Sequence, residues 1–212
     1  MNSEQQTADA GPDAAASSTI SVAATEFDRQ LKLGFAHLLL AVALLSLWAA
    51  ADVSQAVTGL ALSSLLSTGM AIVAAVVFTT LVHEWCHFLG AKFSGAAYTV
   101  PATLGLFVFN FDFARNSLAQ FYSMSHAGQA GSWLAVLLLY LAVPMDTAGR
   151  VMLVCAAIGS AVFAGLIEWP VLRRTRRSGN PLLELARIDR AGLYRSARIA
   201  SALTLLLWLL AI

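Results

Sequence analysis

The chain has 212 residues, of which 58% are hydrophobic and 12% charged, and its mean hydropathy is +0.73. That balance excludes an ordinary soluble domain and belongs to a membrane protein. Lys and Arg number 13 against 12 Asp and Glu, a formal net charge of +1, so no basic excess argues for nucleic-acid binding. Cys86 and Cys155 both lie in apolar stretches, which rules out a disulfide framework as the organising device.

The first 28 residues are rich in Ala, Ser, Thr and Asp and contain Gly11 and Pro12. They lack the basic start and apolar run of a secretory signal and read as a disordered cytoplasmic tail. Residues 29–212 read as a single all-α membrane domain with about five transmembrane helices. The first, 33–51, carries no formal charge over 19 residues, which at ~1.5 Å per residue approaches the hydrocarbon thickness of a bilayer. No charge separates Asp52 from Glu84, so the second helix is expected over about 66–93, after a connecting or partly inserted turn at 57–65. Further spans are expected at about 118–143, 151–172 and 193–212. Arg173, Arg174, Arg176, Arg177, Arg187 and Arg190 crowd one loop, which the positive-inside rule makes cytoplasmic. Counting back through alternating helices puts the N-terminus, the end of helix 2 and the start of helix 3 on that same side. The expected location is a multi-pass position in a bacterial inner membrane.

Between helices 2 and 3, Pro101 and Gly105 interrupt helix, and Phe107, Phe109, Phe111 and Phe113 then recur every second residue. That period predicts a short re-entrant or interfacial β segment with the four rings on one face. It would serve either as an edge to which an extended substrate adds through main-chain hydrogen bonds, or as an aromatic anchor at the interface.

Helix 2 carries His83-Glu84-Trp85-Cys86-His87. Residues four apart on a helix project from nearly the same face, so His83 and His87 can offer two imidazoles to one metal ion while Glu84 reaches a water held by it. Zinc suits the pair because it accepts neutral imidazole and keeps a position open for water. A charged residue inside a span is itself a sign of function. Cys86 points away from the metal face and reads as packing, and Asp112 as a solvated residue at the membrane surface.

These residues resemble the site-2 protease family of intramembrane zinc metalloproteases, peptidase family M50. The resemblance lies in Leu81 to Ala96 (LVHEWCHFLGAKFSGA) and in His126 to Trp133 (HAGQAGSW), where Gly128 and Ser132 match the family's helix motif of Gly, three residues, then Asn, Ser or Gly. It implies an active site reached from within or beside the bilayer, with one Zn2+ ion, Glu84 as general base, and a membrane-protein substrate cut at embedded or membrane-proximal segments. It also places a β segment beside the active site. Gly128 and Ser132 would let helices 2 and 3 approach closely, with Ser132 bonding substrate backbone.

The family's third ligand is usually an Asp before Gly, and this chain has no Asp-Gly pair. Glu168, at the cytoplasmic end of helix 4, is the expected substitute, since two His and one Glu form a known zinc set. Its alternative role is an acid ion-paired with Arg173 or Arg174. His126 is the next candidate ligand, with Asn180 a further one, while His37 reads first as a helix-interface residue. Two other functions stay open: a catalytically silent relative that binds membrane partners, and a haem protein using His83 with His87 or His126 as axial ligands. No appended domain is expected. The substrate's identity and the oligomeric state are not encoded in any motif.

Overall fold

The computed structural model describes residues 12–212. Six helices run in the order α1 (Pro12–Thr58), α2 (Ala61–Phe93), α3 (Leu118–Ala142), α4 (Ala148–Ser178), α5 (Pro181–Ala186) and α6 (Arg190–Ala211). Between α2 and α3 lies an antiparallel pair, β1 (Tyr98–Thr99) and β2 (Asn110–Phe111). Among the described residues, four helical segments are long and apolar enough to cross a membrane: Thr25–Thr58, Ala61–Phe93, Ala148–Ser178 and Arg190–Ala211. They suggest a multi-pass membrane protein. α3 is not among them, because the half that follows its N-terminus carries Gln120, His126 and Gln129.

Several boundaries differ from expectation for local reasons. Residues 1–11 of the expected disordered tail lie outside the described residues, but from Pro12 onward the chain is helical and continuous with the first apolar helix. Pro12 takes a first-turn position, where the missing N–H costs nothing, and Ala14, Ala15 and Ala16 favour helix. The expected turn at 57–65 shrinks to Gly59 and Leu60: Gly59 adopts a positive φ of 63° and bonds back to Gln55, which ends α1 abruptly. α2 therefore starts at Ala61. α4 extends six residues past the expected end to Ser178, ending on Gly179 at φ 68°. It continues through Pro170, whose missing N–H leaves the Leu166 carbonyl without its helical partner.

The core is built from small residues. Ala71, Ala74 and Ala75 of α2 and Ala156 and Ala157 of α4 are 0–3% exposed and pack with Trp48 of α1 and Leu153. In lipid there is no hydrophobic drive between helices, so close backbone approach and polar ties hold the bundle. One such tie lies at the end of the bundle remote from His83. Asp52 of α1, 2% exposed, accepts from Arg150 Nε at 2.6 Å, Thr147 Oγ1 at 2.7 Å and Ser67 Oγ at 3.2 Å. Three helices and the α3–α4 turn are thereby bound to one carboxylate.

The expected four-ring β face did not form. Only Asn110 and Phe111 pair, with Thr99 and Tyr98 respectively. Asp112 Oδ1 accepts from the N–H groups of Ala114 and Arg115 and turns the chain out of the strand. Phe107 is 69% exposed, Phe109 joins Phe88 and Tyr98, and Phe111 and Phe113 pack on Phe121. Asn116 clamps the hairpin base by a reciprocal pair of bonds with Ala97, at 2.6 and 2.7 Å.

The short helix α5 folds back under α4 through Glu184, which is 1% exposed and held by Arg174 at 2.9 Å and Arg187 at 3.0 Å. Burial pushes its carboxyl up, but hydrogen bonds from Ser178 and Arg174 and the nearby charges of Arg187 and Arg174 outweigh it, so the group sits below its ordinary value of 4.5. A depressed carboxyl contributes stability that is fully present above the ordinary value and is lost as pH falls through the lower folded value.

Two outcomes follow. Asp52→Ala should lower resistance to denaturant by about 1.5–3 kcal/mol, and Arg150→Met in the same chain should recover part of that loss, because the guanidinium left with Asp146 as its remaining partner is then removed. The protection of α5 amides against exchange, relative to the intrinsic rate at each pH, should stay constant from neutrality to about pH 5 and fall below it, whereas in Glu184→Gln it should be low throughout.

Candidate metal site

The site rests on the contact between α2 and α3. A Cβ on Gly128 would overlap the ring of His87, and one on Gly131 would meet Cys86 Sγ at 2.6 Å. On the facing helix, a Cβ at Gly90 would meet Ser123 O at 2.8 Å. Glycine at these three positions lets the backbones approach until the histidine rings of α2 reach the main chain of α3. His83 Nδ1 lies 2.9 Å from Gly128 O and 2.8 Å from Ser132 Oγ, and His87 Nδ1 lies 2.9 Å from Met124 O. A carbonyl oxygen only accepts, so both Nδ1 atoms carry protons and donate. In the neutral rings this assigns the lone pairs to the two Nε2 atoms.

Those lone pairs point at each other. The two Nε2 atoms are 2.9 Å apart, and Glu168 Oε1 lies 2.8 Å from His83 Nε2 and 3.2 Å from His87 Nε2. Three acceptors in mutual contact repel unless a positive centre lies among them. Either a metal cation or a proton on one ring supplies it. A tetrahedral zinc with bonds of about 2.0–2.1 Å has ligand-to-ligand edges of about 3.3 Å, slightly larger than the observed triangle, so the residues fit an ion after small relaxation. His83, His87 and Glu168 thus form a group that could hold a metal ion, all three ligand atoms lying within 4.8 Å of one another.

The carboxylate is itself oriented. Gln129, 5% exposed, donates from Nε2 to Glu168 Oε2 at 2.8 Å, so Oε1 alone faces the imidazoles. Glu168 makes no ion pair with Arg173 or Arg174; Arg174 is committed to Glu184. Glu84 is half-buried, makes no side-chain hydrogen bond among the described residues, and has His87, His83, Glu168 and His37 as its titratable neighbours.

The other candidates go elsewhere. His126 stacks on Tyr122 with ring centroids 6.2 Å apart and leans on Trp169, away from the cluster. Asn180 caps α5 by accepting from Leu183 N–H. His37 accepts from Trp85 Nε1 at 3.1 Å and donates from Nε2 to Gly105 O at 2.7 Å, tying α1 to the loop before β2. Cys86 packs against Gly131. The two Nε2 atoms of His83 and His87 leave no room for a haem plane between them. Ser132, expected to meet substrate, is 1% exposed and engaged with His83.

Gln129 and the carbonyls of Met124 and Gly128 escaped the sequence reading. Met124, Gly128 and Ser132 recur every four residues and so form one stripe of α3, a pattern that was present to be read. Nothing in the sequence distinguishes Gln129 from any other polar residue in a helix.

No family model matches the chain, no curated protein matches it, and no solved structure matches it.

Gly128→Ala should displace the His87 ring and weaken zinc binding by at least the about 10–100-fold seen when ligand-orienting groups are lost. Gly69→Ala, where a Cβ meets nothing within 4 Å, should leave binding unchanged. Zinc titration of both purified variants measures the difference.

Proposed function

We propose that the chain is an intramembrane zinc metalloprotease of the site-2 type, hydrolysing peptide bonds in membrane-embedded or membrane-proximal segments. The observation that carries the reading is the convergence of His83 Nε2, His87 Nε2 and Glu168 Oε1 beside Glu84, a half-buried carboxylate without a hydrogen-bond partner among the described residues. In this reading α3 is a fifth span, and Ser125, Gln129 and Ser132 of its polar half are tolerated because they are buried in the bundle interior. The Arg-rich end of α4 is cytoplasmic, which opens the site to water from that side.

Bound zinc would supply Lewis acidity, lowering the pKa of water and stabilising charge on a carbonyl oxygen. The chain supplies the rest. His83, His87 and Glu168 would hold the ion, and the Met124 and Gly128 carbonyls, Ser132 and Gln129 orient those side chains. Glu84 takes a proton from the attacking water on a carboxylate oxygen and returns it to the departing amine nitrogen, so it ends each cycle as it began. Its freedom from other hydrogen bonds suits that exchange. Each strand of the β1–β2 pair is bonded to a strand on one side only, and an extended segment adding on the other side by main-chain bonds would present an amide that a helix would conceal.

Glu84→Gln should retain zinc and lose cleavage of a membrane-spanning reporter by at least about 100-fold, the lower range for a general base. Glu168→Ala should lose both zinc and cleavage. Cleavage that survives in Glu84→Gln would sink the mechanism, and full zinc with no cleavage in wild type would leave a silent metal-binding membrane protein.

A further inference from the structure

Beside the metal group, on the other side of Gln129, lies a cavity of about 350 Å³ between α3 and α4. Such a volume falls in the range that holds small ligands. Its wall is apolar and aromatic, with Trp133 on α3 and Val162, Gly165, Leu166 and Trp169 on α4. The indoles of Trp133 and Trp169 bring N–H groups to this wall, and Gln129 brings an acceptor that none of them satisfies. Gln129 is 5% exposed, and its Nε2 is used on Glu168, which only accepts, so Oε1 is fixed as the free end of the amide. That Oε1 is buried without a partner and lies 3.6 Å from where a Cβ on Gly165 would stand. Leu166 and Pro170 are in the same lining, and Pro170 deprives the Leu166 carbonyl of its helical donor. A buried acceptor left without a donor forgoes the hydrogen bond that water would have given it, so the cavity suits an occupant that brings an N–H group to Oε1.

We infer that this cavity is a peptide subsite: it takes an apolar side chain of a polypeptide segment, and Gln129 Oε1 accepts that residue's main-chain N–H. A lipid acyl chain matches the wall but has no donor for Oε1. A peptide matches both. Because Gln129 also orients Glu168, occupancy of the subsite places the bound segment one side chain away from the metal ligands. The inference rests on the proteolytic reading for the source of the segment, a membrane polypeptide, but binding itself needs no turnover.

The test uses the full chain in nanodiscs, as the Glu84→Gln variant so that no cleavage intervenes. The probe is an N-acetylated Leu tripeptide amide whose central residue carries a diazirine. Irradiation should label Trp133, Val162 or Trp169. Methylating the central amide nitrogen of the probe should reduce labelling about tenfold, the loss of one hydrogen bond. Gly165→Ala adds a methyl at ordinary contact distance, 3.4 Å from Trp169 and 3.6 Å from Oε1, and should weaken labelling several-fold without disturbing the fold; Gly165→Leu should abolish it. Labelling that is indifferent to N-methylation, or that falls outside these residues, would overturn the subsite. A diazirine fatty acid that labels the cavity as well as the peptide, with no response to Gln129→Met, would show a lipid pocket instead and overturn it equally. Failure of this test leaves the Glu84 and Glu168 experiments untouched, and their failure leaves this one interpretable.

Discussion

Everything distinctive about this molecule depends on how closely α2 and α3 approach. Three glycines, Gly90, Gly128 and Gly131, remove the side chains that would hold the helices apart. The space so gained is filled by imidazole. Each ring spends its Nδ1 proton on α3, at distances of 2.8–2.9 Å, and the geometry of that bond fixes the tautomer and aims Nε2 inward. Two histidines at helical spacing would be only a proximity without this. The α3 backbone turns them into a pair of imidazoles with defined lone pairs that could hold a metal ion.

The third element comes from α4, and it brings its own support. Glu168 reaches the imidazoles with one oxygen because Gln129 holds the other. An assembly of acceptors is unfavourable in a low-dielectric interior, so the bundle needs firm ties elsewhere to keep it. Asp52 with Arg150 provides one at the end remote from the site, and Glu184 with Arg174 and Arg187 provides one beyond it. The bundle is thus fastened at both ends by carboxylates, with the metal group between them. A chain with few charges has used most of its buried ones as fasteners or ligands.

Much of this was legible in the chain itself. The scarcity of charge announced the membrane, and the uncharged run between Asp52 and Glu84 announced α2. His83, Glu84 and His87 stood out by spacing, and Glu168 by being an acid inside an apolar helix. What escaped depends on contacts between helices. Asp52 looks like an ordinary boundary residue until Thr147 and Arg150, 95 and 98 positions away, are brought to it. Gln129 acquires meaning only when α4 lies beside α3. The alternation of Phe107, Phe109, Phe111 and Phe113 misled because periodicity assumes one flat face, whereas Asp112 turns the chain and Phe88 and Phe121 draw the rings to different clusters. Helix ends were misjudged where glycine at positive φ, not polarity, set the stop.

The central claim is that one metal ion sits among two imidazoles and a carboxylate. X-ray absorption at the zinc edge of the purified, zinc-loaded protein tests it most directly. The account predicts a first shell of nitrogen and oxygen at about 2.0–2.1 Å, with the outer-shell pattern of two imidazoles that Glu168→Gln alters without abolishing. A shell containing sulfur at about 2.3 Å, which would implicate Cys86, or zinc bound with no imidazole pattern, would contradict it.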